Sequence, residues 1–153
     1  MADQDFAARL DLPDEGATAA LARKLAPSLR EGGVVYLHGE LGAGKTTFAR
    51  ALLRELGAGE RIKSPTYSLL ERYRMGGRDA FHLDLYRIAA PGELEWLGLD
   101  ELRDPSALVL IEWPERDPGA LPAPDLEIVL EHAGGGRMAR LRPRSQRAGS
   151  WWP

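Results

Sequence analysis

The prediction of the fold starts from a glycine-rich stretch, Gly39-Glu40-Leu41-Gly42-Ala43-Gly44-Lys45-Thr46. This stretch matches the phosphate-binding pattern Gly-x4-Gly-Lys-Ser/Thr. Glycine adopts backbone conformations that other residues avoid, so successive N–H groups can turn inward around an anion. In this pattern the lysine contacts the β and γ phosphates, and the Thr46 hydroxyl faces a Mg²⁺ ion that bridges them. The stretch predicts a phosphate-binding loop with these cofactor-binding residues: Leu41, Gly42, Ala43, Gly44, Lys45 and Thr46.

The segments that flank this loop predict a strand before it and a helix after it. Residues 34–37 form an apolar run that leads directly into the loop. Residues 46–56 carry Phe48, Ala51, Leu52 and Leu56 at the spacing of one buried helix face. The positive end of that helix dipole would point at the phosphates. A strand, loop and helix in this order strengthen the prediction of a nucleotide phosphate site.

Length and composition indicate one globular domain. The chain has 153 residues, of which 28% are charged and 44% hydrophobic. It contains no cysteine, which excludes disulfides, thiol chemistry and cysteine-based zinc sites. The N-terminus carries three aspartates and no apolar stretch, and no apolar run approaches the length of a membrane span. We expect a cytoplasmic protein with no membrane association.

The order of apolar patterns along the chain predicts an α/β fold. Residues 6–12 suggest a short edge strand, and residues 17–29 an amphipathic helix capped by Asp14 or Thr18. Two strand-like runs, 68–73 and 80–85, flank a glycine turn, and residues 91–102 suggest a short helix. Residues 127–132 and 137–141 read as a C-terminal β-hairpin. We predict a mixed, largely parallel sheet flanked by helices.

Two carboxylates end predicted strands of this sheet. Asp84 follows the run at residues 80–83, and Glu112 follows residues 107–111, which are the most continuous apolar run in the chain. In open α/β sheets, ligands bind outside the carboxyl ends of the strands. Both side chains are therefore candidates for binding Mg²⁺ or positioning the attacking water, near Lys45. His82, two residues before Asp84, is interpreted as an ordinary half-buried strand residue.

Two further segments allow more than one interpretation. Lys63-Ser64-Pro65-Thr66-Tyr67 is either a plain connection or a nucleotide-sensitive loop in which Thr66 or Ser64 reaches the γ-phosphate or Mg²⁺. From Arg137 onward the chain has five arginines and no acidic residue, so this end is locally basic. It would contact RNA or an acidic partner, or, as we favour, form a solvated tail. We predict a domain over residues 1–141 and a disordered basic tail over 142–153.

Four motifs taken together resemble those of a known family. They are the phosphate loop through Thr47, the 63–67 segment, His82-Leu83-Asp84-Leu85-Tyr86-Arg87, and Ile111-Glu112-Trp113-Pro114. In this order and at these spacings they are similar to the TsaE (YjeE) family, the small bacterial ATPases of tRNA threonylcarbamoyladenosine synthesis. The resemblance runs from about Leu12 to Leu141 and implies a P-loop NTPase-type fold.

The resemblance also implies an activity, a cofactor and partners. Family members bind ATP and Mg²⁺, hydrolyse ATP slowly alone, and act with TsaD and TsaB, whose complex modifies adenosine 37 of tRNAs that read ANN codons; contact with tRNA is indirect. By position, the catalytic residues would be Lys45, Asp84, Glu112 and Thr66, and the metal ligands Thr46, Glu112 and Asp84. Glu15, Gly136 and Arg137 match positions that flank the nucleotide.

Two rival functions share the phosphate loop. A small-molecule kinase would need an arginine-rich lid and an acceptor site, and neither is clearly placed in the sequence. A GTP-dependent binding switch would use an Asn-Lys-x-Asp motif to read guanine, but the chain contains no asparagine. ATP is therefore the predicted nucleotide.

Overall fold

The computed structural model describes residues 8–58, 61–62, 70–88, 90, 92–94 and 100–152. The predictions for residues 63–67, including Thr66, fall outside this range, as does half of the predicted helix at 91–102. Within these residues the two α-helices are α1 (Glu15–Leu29) and α2 (Lys45–Glu55). The strands are β1 (Ala8–Leu12), β2 (Gly33–His38), β3 (Arg61–Ile62), β4 (Leu70–Met75), β5 (Arg78–Asp84), β6 (Leu108–Glu112), β7 (Leu126–Ala133) and β8 (Gly136–Pro143).

The strands form one eight-stranded sheet in the order β1-β8-β7-β2-β6-β5-β4-β3. The four central strands β7, β2, β6 and β5 are parallel, and the strands on both flanks pair antiparallel. β7 and β8 form the predicted C-terminal hairpin, and β1 pairs with β8 at the edge. The predicted α/β fold with a mixed sheet, helices and a terminal hairpin is confirmed, with parallel pairing in the centre.

Both helices pack on the same face of the sheet. α1 is capped by Asp14, whose side chain accepts a hydrogen bond from the Ala17 N–H at 2.8 Å. Its apolar stripe and that of α2, which includes Phe48 and Leu52, bury against inward side chains of β2, β6 and β7. The opposite face is covered by segments that connect the strands, with Leu85, Leu94, Leu102 and Leu121 packed against it. Among the described helices, none is long and apolar enough to cross a membrane.

The pattern of β6 explains its central position. All five of its residues are buried, as expected for a strand that has a parallel neighbour on each side and is covered on both faces. Leu108 and Leu110 face the helices, whereas Val109 and Ile111 face the connecting segments. Because β2, β5 and β6 run parallel, their carboxyl ends meet at one edge, which is where the glycine-rich loop begins.

The prediction of a disordered tail over residues 142–153 is wrong for the described part of that segment. β8 continues to Pro143, and Arg147–Ser150 forms a short 3-10 helix. The Arg147 guanidinium donates to Asp125 at 2.9 Å, and Trp151 is buried in the helix-side core beside Gly33 and Leu29. Local sequence gave no sign of this packing, because the apolar surface that receives Trp151 comes from distant parts of the chain.

Replacing Trp151 with alanine is expected to destabilise the protein by about 3 kcal/mol, because a large buried ring is removed from the core. The measurement is the free energy of unfolding in urea. Trp152→Ala is the matched control, since Trp152 is only partly buried and contacts Lys24 through a cation–π interaction at 4.8 Å. Equal losses in the two variants would show that Trp151 has no special packing role.

Candidate nucleotide-binding site

The glycine-rich loop connects β2 to α2 and needs glycine at specific points. Gly39, Gly42 and Gly44 all have positive φ angles, of 147°, 77° and 105°. At Gly39 an added Cβ would also lie 2.4 Å from the carbonyl oxygen of Leu130 on β7. The loop therefore depends on glycine both for its backbone conformation and, at Gly39, for its close contact with the neighbouring strand.

The N-terminus of α2 opens toward a cavity. The residue that precedes the helix is Gly44, and within the described chain no side chain caps its first turn. The first N–H groups of a helix have no partner inside the helix, and the dipole gives this end a partial positive charge. Gly44, Lys45, Thr46 and Thr47 all line the cavity. This arrangement favours binding of an anion such as a phosphate group.

Lys45 lies across the loop. Its ammonium group donates to the carbonyl oxygen of Gly39 and, at 3.1 Å, to that of Glu40. It also lies 4.1 Å from the centre of the Trp113 ring, a cation–π contact. Burial lowers the pKa of Lys45, against the opposing charges of Glu112 and Asp84. The lysine is thus a partly desolvated cation at the cavity wall, held by interactions that phosphate oxygens can replace.

The Thr46 side chain is hydrogen bonded to Glu112. The Thr46 hydroxyl lies 2.8 Å from one carboxylate oxygen of Glu112 and 3.0 Å from the other, so it can donate to either. Glu112 is only 3% exposed. The structure thus brings together two residues that are 66 positions apart in the sequence and that were both predicted to bind Mg²⁺.

Asp84 lies on the strand next to Glu112. β5 and β6 are parallel, and Asp84 and Glu112 occupy directly paired positions in their register. One Asp84 oxygen accepts the Tyr86 N–H at 3.1 Å, and the residue remains partly exposed at the cavity wall. The predicted meeting of Asp84, Glu112 and Lys45 at one sheet edge is what the structure shows.

The cavity has a volume of about 1060 Å³. Glu15 at the start of α1 lies on its wall, and so do Gly136 and Arg137 from β8. The Arg137 guanidinium donates to the carbonyl of Gly42 at 2.8 and 3.1 Å, which fixes the loop against β8. Leu41 and Gly42 also line the cavity, whereas Ala43 does not: its side chain is buried in the core and its N–H donates to Glu40.

The residues around Thr46 fit a Mg²⁺ ion that is shared with a nucleotide. Thr46, Glu112 and Asp84 offer hard oxygen donors, which this ion prefers. The described residues contain no cluster of three or more His, Cys, Asp or Glu side chains that could hold a metal by themselves. Mg²⁺ in nucleotide sites uses one or two carboxylates together with substrate phosphates, so the observed set is sufficient only with a nucleotide.

The family of this chain follows from comparison with known proteins. The family model described as "Threonylcarbamoyl adenosine biosynthesis protein TsaE" matches residues 12–140, which is most of the chain. The chain belongs to the TsaE family. The match includes the phosphate loop, both carboxylates and the Gly136–Arg137 pair, and so covers all predicted site residues.

Relatives in the TsaE family are similar over most of their length. A TsaE protein of Haemophilus influenzae is 38% identical over 135 residues, covering 85% of each chain. One from Rickettsia felis is 41% identical, covering 80% of this chain and 71% of its own. The crystal structure of YdiB from Bacillus subtilis superposes with a TM-score of 0.76 at 29% identity, covering 94% of this chain and 90% of that one.

The interpretation of His82 as an ordinary half-buried residue is wrong. It is 5% exposed, and its Nε2 lies 2.7 Å from a Glu112 oxygen while its Nδ1 lies 3.3 Å from Glu71. Burial alone would lower the pKa of His82, but the interactions with Glu112 and Glu71 outweigh burial and raise it from 6.5 to about 9. A signal was present in the sequence: residues two apart on a strand share a face, so His82 lies on the side of Asp84.

Trp113 is a second functional candidate that spacing alone did not place. Among the described residues it is the only one other than glycine with a positive φ, of 59°. Its ring packs against Tyr86 at 5.0 Å between centres and lies over the Lys45 ammonium. Its position immediately after Glu112 gave a hint, but only the turn after β6 shows that the ring points into the cavity.

The raised pKa of His82 predicts a pH-dependent stability. Protonated His82 should contribute fully to the free energy of unfolding below about pH 6.5, which is the ordinary pKa of histidine. The contribution should be lost as the pH rises through about 9, the pKa of His82 in the folded protein. The expected loss in the free energy of unfolding is roughly 3 kcal/mol between these limits. Urea unfolding without nucleotide at pH 6 and pH 9.5 measures it, and His82→Gln should remove the dependence. An unchanged pH profile in that variant would assign the effect to other groups.

Proposed function

We propose that this TsaE-family protein is a Mg²⁺-dependent ATPase of the cytoplasm. Its family is that of tRNA threonylcarbamoyladenosine biosynthesis. In our proposal it binds the TsaD–TsaB complex and supports formation of the threonylcarbamoyl group on adenosine 37 of tRNAs that read ANN codons. Its contact with tRNA is through that complex.

The observation that carries the proposal is the meeting of Lys45, Thr46 and Glu112 in one cavity. Lys45 supplies a cation to the β and γ phosphates, and the open N-terminus of α2 supplies N–H donors beside it. Thr46 and Glu112 are hydrogen bonded to each other and together offer oxygen ligands. Phosphate binding and metal binding are thus combined within one turn of helix and one strand end.

The roles of these residues follow from phosphoryl-transfer chemistry, which needs positioning and charge stabilisation. Lys45 and the loop hold the phosphates in place, and Thr46 and Glu112 would hold Mg²⁺. When bound, Mg²⁺ neutralises charge on the phosphate oxygens. Asp84, which lies beside Glu112 but is more exposed, would orient a water molecule. Thr66 remains a candidate for contact with the γ-phosphate.

Three residues around the cavity would hold the rest of the nucleotide. Glu15, Gly136 and Arg137 lie on its wall, with Arg137 fixing Gly42. ATP is favoured over GTP because the chain lacks the asparagine of the guanine-reading motif. The product identifies the reaction: release of inorganic phosphate supports an ATPase, whereas transfer of the phosphoryl group to a metabolite would support a kinase.

Lys45→Ala tests the proposal most directly. Phosphate release from ATP should rise when TsaD and TsaB are added to the wild type, and Lys45→Ala should lose that activity by on the order of 100-fold, because a cation at the phosphates is removed. The same variant should fail to support tRNA modification. Lys24→Ala is the control, since Lys24 lies on α1 and contacts the ring of Trp152. No stimulation by the partners, with normal modification by Lys45→Ala, would refute the proposal.

A further inference from the structure

We propose that His82 is a positioning residue that, in a relay of the partly exposed Glu71 with the buried His82 and Glu112, holds the Glu112 carboxylate in the orientation needed to bind Mg²⁺. This inference rests on the proposed Mg·ATP site. It adds to the predicted site a residue on β5 and another on β4 that do not themselves reach the phosphates.

The sheet register places the three side chains on one face. Glu71 on β4 is paired directly with His82 on β5, and His82 is paired with Leu110 on β6. Glu112 follows Leu110 by two residues and therefore points to the same side. Leu110 belongs to the core beneath α1 and α2, so this is the helix-covered face, and Thr46 lies in the first turn of α2 on the same side.

Hydrogen bonds and one ion-pair contact follow one another across this face, and the contact between Nδ1 of His82 and Glu71 is the ion pair and not a hydrogen bond. The Tyr73 hydroxyl donates to Glu71 at 3.0 Å, and the same Glu71 oxygen lies 3.3 Å from Nδ1 of His82. Nε2 of His82 lies 2.7 Å from Oε2 of Glu112. That oxygen is the one that the Thr46 hydroxyl approaches to 2.8 Å. The path thus runs across three strands and ends at the first turn of α2.

The contacts with His82 and Thr46 fix the orientation of the Glu112 carboxylate. Glu112 is 3% exposed and His82 is 5% exposed, so little water is available to replace a lost contact. Nε2 of His82 and the Thr46 hydroxyl both contact Oε2, whereas Oε1 has only the Thr46 hydroxyl as a hydrogen-bond partner among the residues that the structure describes. A metal-binding side chain keeps its orientation when a second residue hydrogen bonds to it. Removal of that second residue typically lowers metal affinity 10- to 100-fold.

The fold does not require an ion-pair group at this position, even though protonation of His82 favours the folded state. A buried imidazole between two carboxylates carries a desolvation cost that apolar side chains would avoid, and buried ion pairs often stabilise less than well-packed hydrophobic residues. The position before it, Phe81, and the one after it, Leu83, are fully buried apolar residues. Among the residues of β5 on the helix-covered face, His82 and Asp84 lie toward the end that reaches the cavity, whereas Arg78 lies at the other end of the strand and donates to the Glu31 carbonyl.

Binding of ADP with and without Mg²⁺ separates the relay from the phosphate loop. For His82→Ala we expect ADP affinity in EDTA to be unchanged, because Lys45 and α2 are intact, while Mg²⁺ binding to the ADP complex weakens 10- to 100-fold. His82→Gln, whose amide N–H can still donate to Glu112, should restore part of the loss. His38→Gln is the matched control: Nε2 of His38 lies 2.7 Å from Glu127, a pair that does not reach Thr46.

A measurement on the wild type does not depend on whether the variants fold. In histidine-labelled protein, the ring nitrogen signals of His82 should shift when Mg·ADP binds and not when ADP binds in EDTA. Unmoved signals, or unchanged Mg²⁺ affinity in folded His82→Ala, would overturn the relay even if nucleotide binds normally. Failure of the wild type to bind ADP at all would instead refute the proposed function.

Discussion

Replacing Glu112 with glutamine is expected to lower Mg²⁺-dependent ATP hydrolysis on the order of 100-fold, measured as phosphate release in the presence of TsaD and TsaB. The substitution keeps the size of the side chain and removes its charge. Glu112 is buried against the Thr46 hydroxyl and His82, which hold its carboxylate in place. Asp84, paired beside it on β5, is oriented instead by the Tyr86 N–H.

The metal dependence distinguishes this effect from general damage. Glu112→Gln should bind ADP in EDTA as well as the wild type does, because the lysine and the helix N-terminus are unchanged. The matched control is Glu115→Gln, three residues further along: this side chain is 57% exposed, and one of its oxygens lies 3.9 Å from Nδ1 of His38. Full activity of Glu112→Gln, or an equal loss in Glu115→Gln, would show that Glu112 is not the metal-binding carboxylate.

Replacing Gly39 with alanine is expected to destabilise the protein by about 3 kcal/mol and to abolish measurable nucleotide binding. Two penalties act together at this position. The φ angle of 147° is unfavourable for a residue with a side chain, and the new methyl group would lie 2.4 Å from the Leu130 carbonyl oxygen. Since that oxygen belongs to β7, the loop or the strand must shift, and either movement displaces the backbone that surrounds the phosphates.

Gly57→Ala separates the two penalties. Gly57 follows the C-terminus of α2, has a φ of 75° and would place its methyl group in open space. It should cost about 1 kcal/mol for conformation alone and leave nucleotide binding intact. Unfolding in urea gives the stabilities, and fluorescence titration with a labelled nucleotide gives the affinities. If Gly39→Ala costs no more than Gly57→Ala, the close approach to Leu130 is not what constrains the loop.

The basic end of the chain shows where local pattern was misleading. The run of arginines without acidic residues predicts a solvated tail, yet Arg142 and Arg144 both contact Glu127, and Arg147 contacts Asp125. Burial by itself would raise the pKa of Asp125, but its bonds to Arg147, Ser145 and the Val34 N–H lower it. The acidic partners lie on β7 and just before it, so charge counted along the sequence did not reveal that the arginines are paired within the fold.

Local sequence patterns were enough to predict the phosphate loop, the strand and helix that flank it, and the two carboxylates at the ends of strands. Glycine conformation, apolar periodicity and the position of an acid after a buried run are local properties, and each is readable within about ten residues. This is why Lys45, Thr46, Asp84 and Glu112 were all identified before their distances were known.

Which of these groups are in contact, and which other residues hold them in place, depends on the tertiary structure. The register of β4, β5 and β6 aligns Glu71, His82 and Glu112, and the return of β8 brings Arg137 onto Gly42. Such contacts join positions 11 to 95 residues apart. They arise from strand pairing and from burial that excludes water, and neither quantity exists until the chain has folded.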